Sequence, residues 1–286
     1  MRAAILGAGG QLAYDLERVM QDWDLVLHRH ADLDVCDHAR ARQVLTQSAP
    51  EVVINTTAFH RVDDCEAQVE KAFQVNAVAV RNLAQVCRDL DCTLVHMSTD
   101  YVFGGEKRTP YTEGDLPDPL STYGASKLAG EYFVRHICPK HFVVRTSGLY
   151  GVAGSSGKGG NFVETMIRLA SEGKSIRVVN DQVLSPTYTV DLAEKVVALL
   201  RTEAYGLYHI ANAGECSWYQ FAAKIFELAG LHPILGPTTS AEYGSVARRP
   251  PYSALATDAM HASQFVRLSH WTEALQEYLG ARDHGP

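Results

Sequence analysis

The stretch Ala3-Ala4-Ile5-Leu6-Gly7-Ala8-Gly9-Gly10-Gln11-Leu12-Ala13 decides the fold. Its first four residues make a short apolar strand, and the glycines that follow make a turn. Leu12, Leu16, Val19 and Met20 then recur at helical spacing. A dinucleotide fold needs strand, glycine turn and helix in that order. Gly7 and Gly10 let the backbone approach a pyrophosphate, and the helix N-terminus offers unpaired N–H groups and the positive end of its dipole. Ala13 stands where a third glycine usually lets helix pack on strand, and it is small enough to serve. A glycine turn alone is often only a turn; its place after the first strand favours the cofactor reading.

Outward from this stretch, apolar strands alternate with helices. Leu25-Val26-Leu27 and Val52-Val53-Ile54 read as strands. Asp64 to Asp91 reads as one long helix with Ala72, Val75, Ala79, Leu83, Val86 and Leu90 on its inner stripe. Leu94 to Met97 and Phe142 to Arg145 are two further strands. The alternation predicts an α/β chain, a Rossmann-type doubly wound parallel sheet with a smaller C-terminal α/β substrate-binding domain. Residues 1–148 form the dinucleotide-binding domain, which also receives 180–210, and 149–286 form mainly the substrate-binding domain. In the second part a helix runs from Asn161 to Ala170 and a strand over 176–179. Thr189 is expected to cap a helix over 192–200, and Ser217 caps another that stops at Gly230.

Chemistry concentrates in two segments, Ser98-Thr99-Asp100-Tyr101-Val102-Phe103-Gly104 and Tyr123-Gly124-Ala125-Ser126-Lys127. Four-residue spacing puts Tyr123 and Lys127 one turn apart on one helix face. The ammonium favours the phenolate by charge and makes the tyrosine a better proton carrier. A hydroxyl from Thr99 completes a site that polarises a carbonyl and hands it a proton. By itself Tyr-x-x-x-Lys also describes a surface tyrosine and a solvated lysine. It gains weight because it is the only such pair in the chain and follows a strand that ends in Thr99.

Other segments are read more weakly. His28-Arg29-His30 follows the second strand, where an acidic residue commonly binds an NAD ribose. Arg29 would suit a 2′-phosphate, or the segment is a solvated basic loop, and both readings stand. Asp34 to Asp37 flank the adenine. Asn55 to His60 form a strand-exit loop of the kind that carries ligand. Gly151 to Gly160, with five glycines, is either a loop that closes over substrate or a connector. Arg248-Arg249-Pro250-Pro251 would hold phosphates or face solvent.

Composition narrows the class. The chain of 286 residues is 46% hydrophobic and 21% charged, with a formal charge of -7 and scattered basic residues. Nothing marks a nucleic-acid surface, and no apolar run approaches the ~20 residues a membrane span needs. The six cysteines include no Cys-x-x-Cys pair and read as buried thiols of a reducing compartment, which makes the cytoplasm the expected location.

These residues together resemble the dTDP-4-dehydrorhamnose reductases of the extended short-chain dehydrogenase/reductase superfamily. The likeness covers nearly the whole chain: Gly7 to Leu12, Val62 to Glu66, Asn76, Ser98 to Phe103, Tyr123 to Lys127 with Gly130-Glu131, Arg145-Thr146-Ser147, Asn161 to Val163, Val179 to Gln182, Ser185 to Thr189, and Arg249-Pro250. It implies reduction of the 4-keto group of dTDP-4-dehydro-L-rhamnose, or a close dTDP-4-keto-deoxysugar, by NADPH or NADH. By that likeness Thr99, Tyr123 and Lys127 are catalytic. Gly7, Gly10, Gln11, Leu12, Asp34, Val35, Ala58, Phe59 and His60 line the cofactor with Tyr123 and Lys127, and Arg29 joins them on the charge argument above. Thr99, Asp100, Tyr101, Gly148 and Arg249 face the sugar nucleotide. Many members are homodimers, some bridged by magnesium.

His60 departs from a common Thr, Gly148 from a Trp that packs on substrate, and Leu184 from a frequent glycine. Tyr101 stands where dehydratases of this superfamily carry a Glu base, which disfavours elimination. A nucleotide-sugar epimerase shares the Tyr and Lys. A regulatory subunit of the methionine adenosyltransferase type shares the fold without the catalysis. The retained Thr99, Tyr123 and Lys127 argue for an enzyme.

Overall fold

The computed structural model describes residues 1–154, 160–257 and 268–282. Six strands form one parallel sheet: β1 (Arg2–Leu6), β2 (Asp24–His28), β3 (Val52–Asn55), β4 (Thr93–Thr99), β5 (His141–Thr146) and, after four short strands outside this sheet, β10 (Gly206–His209). Their order is β10-β5-β4-β3-β1-β2. The order in which strands are added reverses between β1 and β3, and doubly wound sheets bind ligands at such a switch point. The period-2 pleat explains why the strands read as continuous apolar runs. Ala3, Ile5, Val95, Met97 and Val144 pack against α1 (Gln11–Val19) and α8 (Thr189–Leu200). Ala4, Leu6, Val53, Leu94 and Val143 pack on the opposite face, against α2 (His38–Ser48), α5 (Ala79–Asp89) and α6 (Thr122–Ile137). Both faces are covered, so both must be apolar.

The expected single helix from Asp64 to Asp91 is broken. It comprises α3 (Val62–Ala67), α4 (Val69–Phe73), a π turn over Gln74–Val78, and then α5. Gln68, at φ -128 and ψ 56, separates the first two. Asn76 in the π turn is fully buried, and its amide accepts from Phe59 N at 2.9 Å and donates to Phe59 O and Ser126 Oγ at 3.0 Å each. An apolar stripe reports none of these polar contacts, so periodicity merged four pieces into one.

The second lobe holds α7 (Phe162–Ser171), β7 (Ile176–Val179), α9 (Trp218–Leu228), β12 (Leu235–Thr238), α10 (Ser240–Tyr243) and α11 (Trp271–Arg282) around an aromatic core of Tyr150, Phe221, Trp271 and Tyr278. Short strands β6 (Leu149–Tyr150), β8 (Val183–Leu184), β9 (Thr187–Tyr188) and β11 (Cys216–Ser217) link it to the sheet lobe. Ser217 caps α9 in a full capping box with Gln220, and Gly230 follows its end at φ 65. Thr189 does not cap α8. Tyr188 holds the cap position, and the Thr189 hydroxyl instead donates to buried Asp15 on α1 at 2.5 Å. Of the glycine loop 151–160, residues 155–159 lie outside the described residues.

Candidate active site

One cavity of about 950 Å³ runs along the carboxyl ends of β1, β3, β4 and β5 and on toward the second lobe. Its first wall is the glycine turn. Gly7 and Gly9 adopt φ 87 and 89, a backbone open to glycine. A Cβ on Gly7 would lie 2.7 Å from Thr56 Oγ1, at the β1–β3 switch. His28 O, at the end of β2, accepts from Gly7 N at 2.9 Å and Ala8 N at 3.0 Å and pins the turn. Gly10 caps α1 without a side chain, which leaves the first turn of the helix for a ligand. Ala13 is buried against the sheet, as the missing third glycine required.

Of the expected cofactor residues, Gly7, Gly10, Gln11, Leu12, Asp34, Val35, Ala58, Phe59, His60, Tyr123 and Lys127 all line this cavity. Arg29 does not. It is exposed, its backbone N–H donates to Asp32 Oδ2 at 3.0 Å, and its neighbour His30 lines the wall in its place. Lys71, which the sequence reading passed over, also lines the cavity, with its Nζ 4.9 Å from the Phe59 ring centroid.

The expected catalytic residues meet in the middle. Thr99 ends β4 and caps a 3₁₀ turn over Asp100–Val102. Its hydroxyl accepts from Tyr101 N at 3.1 Å and donates to Asp100 Oδ1 at 3.0 Å. Asp100, 3% exposed, also accepts from Ser147 Oγ at 2.8 Å and Ser253 Oγ at 2.6 Å through Oδ2. Burial pushes its carboxyl up to about 6 against those three hydroxyl donors. Tyr123 stands in the first turn of α6, with its ring 6.0 Å from Tyr101 in an edge arrangement. Burial raises the Tyr123 phenol well above its ordinary range, and a hydrogen bond with Thr99 opposes this. The expected phenolate-favouring effect of Lys127 is therefore overridden: the Lys127 Nζ donates to Met97 O at 2.6 Å. Burial brings this lysine down to about 8, with Glu131 acting the other way.

Beneath the site, Arg145 and Glu131 form a buried bidentate pair, Nε to Oε1 at 2.9 Å and Nη2 to Oε2 at 2.7 Å, and Ser98 Oγ donates to Glu131 Oε1 at 2.5 Å. Toward the second lobe the walls are Gly148, Asn161, Phe162, Gln182, Leu184, Trp218, Tyr243, Arg249 and Ser253. Arg249, expected to meet phosphates, is clasped by Asp63, with Nη2 to Oδ2 at 2.8 Å and Nη1 to Oδ1 at 3.2 Å, and its charge acts on the Tyr101 phenol. Thr146 and Ser147 entered the sequence reading only within the family likeness, and Ser253, Trp218 and Tyr243 were given no site role there. Only Thr146 and Ser147 carried a usable signal, their place at the carboxyl end of a parallel strand. Among the described residues no group of three or more His, Cys, Asp or Glu is arranged to hold a metal ion, and nothing supports the magnesium expectation. Among the same residues no helix is long and apolar enough to cross a membrane.

Comparison with known proteins places the chain among sugar-nucleotide enzymes. A family model described as RmlD substrate binding domain matches residues 1–283. The spore coat polysaccharide biosynthesis protein SpsK of Bacillus subtilis is 39% identical over 283 residues, 98% of each chain. A crystal structure of a dTDP-4-dehydrorhamnose reductase from Clostridium acetobutylicum superposes with a TM-score of 0.95 at 38% identity, over 99% of this chain and 100% of that one. The dTDP-4-dehydrorhamnose reductase of Bacillus anthracis, solved in complex with NADP, gives a TM-score of 0.93 at 38% identity, over 97% of this chain and 98% of its own.

Proposed function

The chain belongs to the RmlD family of NAD(P)H-dependent oxidoreductases, and from that premise we propose that it reduces the 4-keto group of dTDP-4-dehydro-L-rhamnose, or a close dTDP-4-keto-deoxysugar, with Tyr123 as proton donor. The observation that carries this reading is the meeting of Thr99, Tyr123 and Lys127 in one cavity whose opposite wall is a glycine turn and an uncapped helix N-terminus.

The residues fit a nicotinamide dinucleotide. Gly7 and Gly10 keep the turn free of side chains, the first turn of α1 suits a pyrophosphate, and Asp34 and Val35 suit the adenosine end. When bound, the reduced nicotinamide supplies the hydride. The chain supplies the proton and the polarisation. Burial keeps Tyr123 a phenol at neutral pH, so its O–H is available to the carbonyl oxygen as negative charge develops there. Thr99 orients that phenol. To bond the substrate carbonyl it turns its own proton away from Asp100, whose carboxylate stays satisfied by Ser147 and Ser253. Lys127 places a positive charge beneath the site and so favours charge development on oxygen. Tyr101, Gly148 and Arg249 would bound the sugar nucleotide, and Phe162, Trp218 and Tyr243 offer aromatic faces at the far end. Lys71 places an ammonium on the cavity wall beside the His30 imidazole, which supports NADPH over NADH. A cytoplasmic homodimer belongs to the same reading.

Incubation with NADPH or NADH and dTDP-4-dehydro-L-rhamnose, followed by identification of the product, tests the reading. A 4-hydroxy sugar nucleotide with coenzyme oxidised in equal amount is expected, faster with NADPH. Sugar recovered with its ketone intact, or merely inverted at a ring carbon, would overturn it. Tyr123→Phe should hold NADPH as the parent does while losing roughly 10²–10⁴-fold in turnover; parental turnover would remove Tyr123 from the donor role.

A further inference from the structure

The pleat of β5 sends its last three side chains to alternate faces. Val144 packs on the α1 side, and Arg145 turns to the α6 side to pair with Glu131. Thr146 returns to the α1 side, in register with Thr99 of β4. Register partners in parallel strands share a face, so Thr146 lies beside the Thr99 side chain on the cavity wall. Thr146 is 5% exposed, and its hydroxyl has no hydrogen-bond partner among the described residues. A buried hydroxyl without a partner has lost its hydration with nothing in return, so a native structure that keeps one commonly has a ligand for it.

A second polar atom in the same state lies on this wall. Gln11, in the first turn of α1, donates through Nε2 to Leu149 O at 3.3 Å, three residues beyond Thr146. A carbonyl can only accept, so the amide must present its NH₂ group to Leu149 and its oxygen elsewhere. That oxygen, Gln11 Oε1, is buried and unpartnered. One atom therefore requires a donor, and the other can donate or accept. A phosphate offers only acceptors and leaves Gln11 Oε1 unsatisfied. A primary carboxamide offers both an N–H and a C=O.

We propose that Thr146 and Gln11 form the hydrogen-bonding site for the carboxamide of the nicotinamide coenzyme, with Gln11 Oε1 accepting its N–H and the Thr146 hydroxyl bonding its carbonyl. This rests on the reading of the cavity as a coenzyme site. Thr146 would thereby help fix which face of the nicotinamide ring turns toward substrate.

The test is equilibrium titration of NADPH by fluorescence, without sugar, in the parent, Thr146→Val and Thr146→Ser. The valine variant keeps the shape and removes the hydroxyl, and the serine variant restores it. NADPH binding should weaken about three- to tenfold in T146V and stay within twofold of the parent in T146S, the range of one neutral hydrogen bond. The reduced 3-acetylpyridine analogue of NADPH, which lacks the amide N–H, should bind the parent more weakly than NADPH, because Gln11 Oε1 then has no donor. Unchanged NADPH affinity in T146V, an equal loss in both variants, or a rise only in the KM of the sugar overturns the Thr146 assignment. An analogue that binds like NADPH overturns the Gln11 assignment. A parent that binds neither NADPH nor NADH overturns the coenzyme reading itself, and this inference with it.

Discussion

Lys127 and Tyr123 show how burial redistributes the roles of two side chains one helical turn apart. Spacing alone suggests that the ammonium draws a proton off the phenol. Lys127 is buried and Tyr123 half-buried, and desolvation disfavours each charged form, so the tyrosine rises while the lysine falls to about 8. Of these two, the lysine is therefore the one that changes charge within reach of neutral pH. Below about 8 Lys127 is charged; as pH rises through that value it loses its proton and the positive charge under the carbonyl. We expect kcat/KM to hold steady through neutral pH and to fall above about pH 8, with this limb absent in a slow Lys127→Met variant. A parent profile flat to pH 10 would assign the alkaline form of the enzyme to another cause. Asp100 has the complementary position: three hydroxyls from three segments keep a buried carboxylate satisfied, and they hold Thr99 where Tyr123 can use it.

Two elements owe their shape to contacts that no periodicity reports. The π turn between α4 and α5 delivers the Asn76 amide to both backbone groups of Phe59 and so fixes the Ala58–His60 segment of the cavity wall. Asn76→Ala leaves the Phe59 N–H without its partner and takes one donor each from Phe59 O and Ser126 Oγ, which keep Cys65 Sγ and Tyr123 O. It should cost about 1–3 kcal/mol of stability and raise the Kd for NADPH, both readable by denaturant unfolding and titration; a variant with parental stability would show the π turn to be incidental. The second element is the turn before β6. Gly148 sits at φ 54, and a Cβ there would lie 2.6 Å from Leu184 Cδ1 and 3.2 Å from Pro186 Cα. The two departures at 148 and 184 are thus one feature, in which Leu184 of β8 fills the space a larger residue 148 would need. Gly148→Ala should destabilise the protein, and Leu184→Ala should relieve part of that loss. The double-mutant cycle should show coupling of roughly 0.5–3 kcal/mol, whereas strict additivity would mean that backbone strain alone sets the cost.

At the scale of the molecule, the chain leaves the sheet after β5, builds part of the second lobe, and returns through α8 and β10 before leaving again. Residues 1–148 alone would lack β10 on the β5 edge and the Leu192, Ala193 and Val196 side chains that cover the α1 face of the sheet. Such a fragment should fail to unfold cooperatively, whereas the full chain should; a cooperative melt of 1–148 would show that the return segment is dispensable. Much of this architecture was legible in the sequence, because a parallel sheet covered on both faces demands runs such as Ala3 to Leu6 and Val52 to Ile54, and because glycine turns and four-residue spacings follow from local backbone geometry. Thr99, Tyr123 and Lys127 were legible for the same reason: each stands at a position set by its own strand or helix. The partners of Asp100 and Asn76, the Gly148–Leu184 fit, the orphan hydroxyl of Thr146 and the withdrawal of Arg29 from the cavity were not. They join residues 17 to 153 positions apart or depend on what a neighbouring strand leaves open. Local propensity carries no term for such distances; only the closed sheet, with its two lobes packed, decides which side chains meet and which of them is left without a partner.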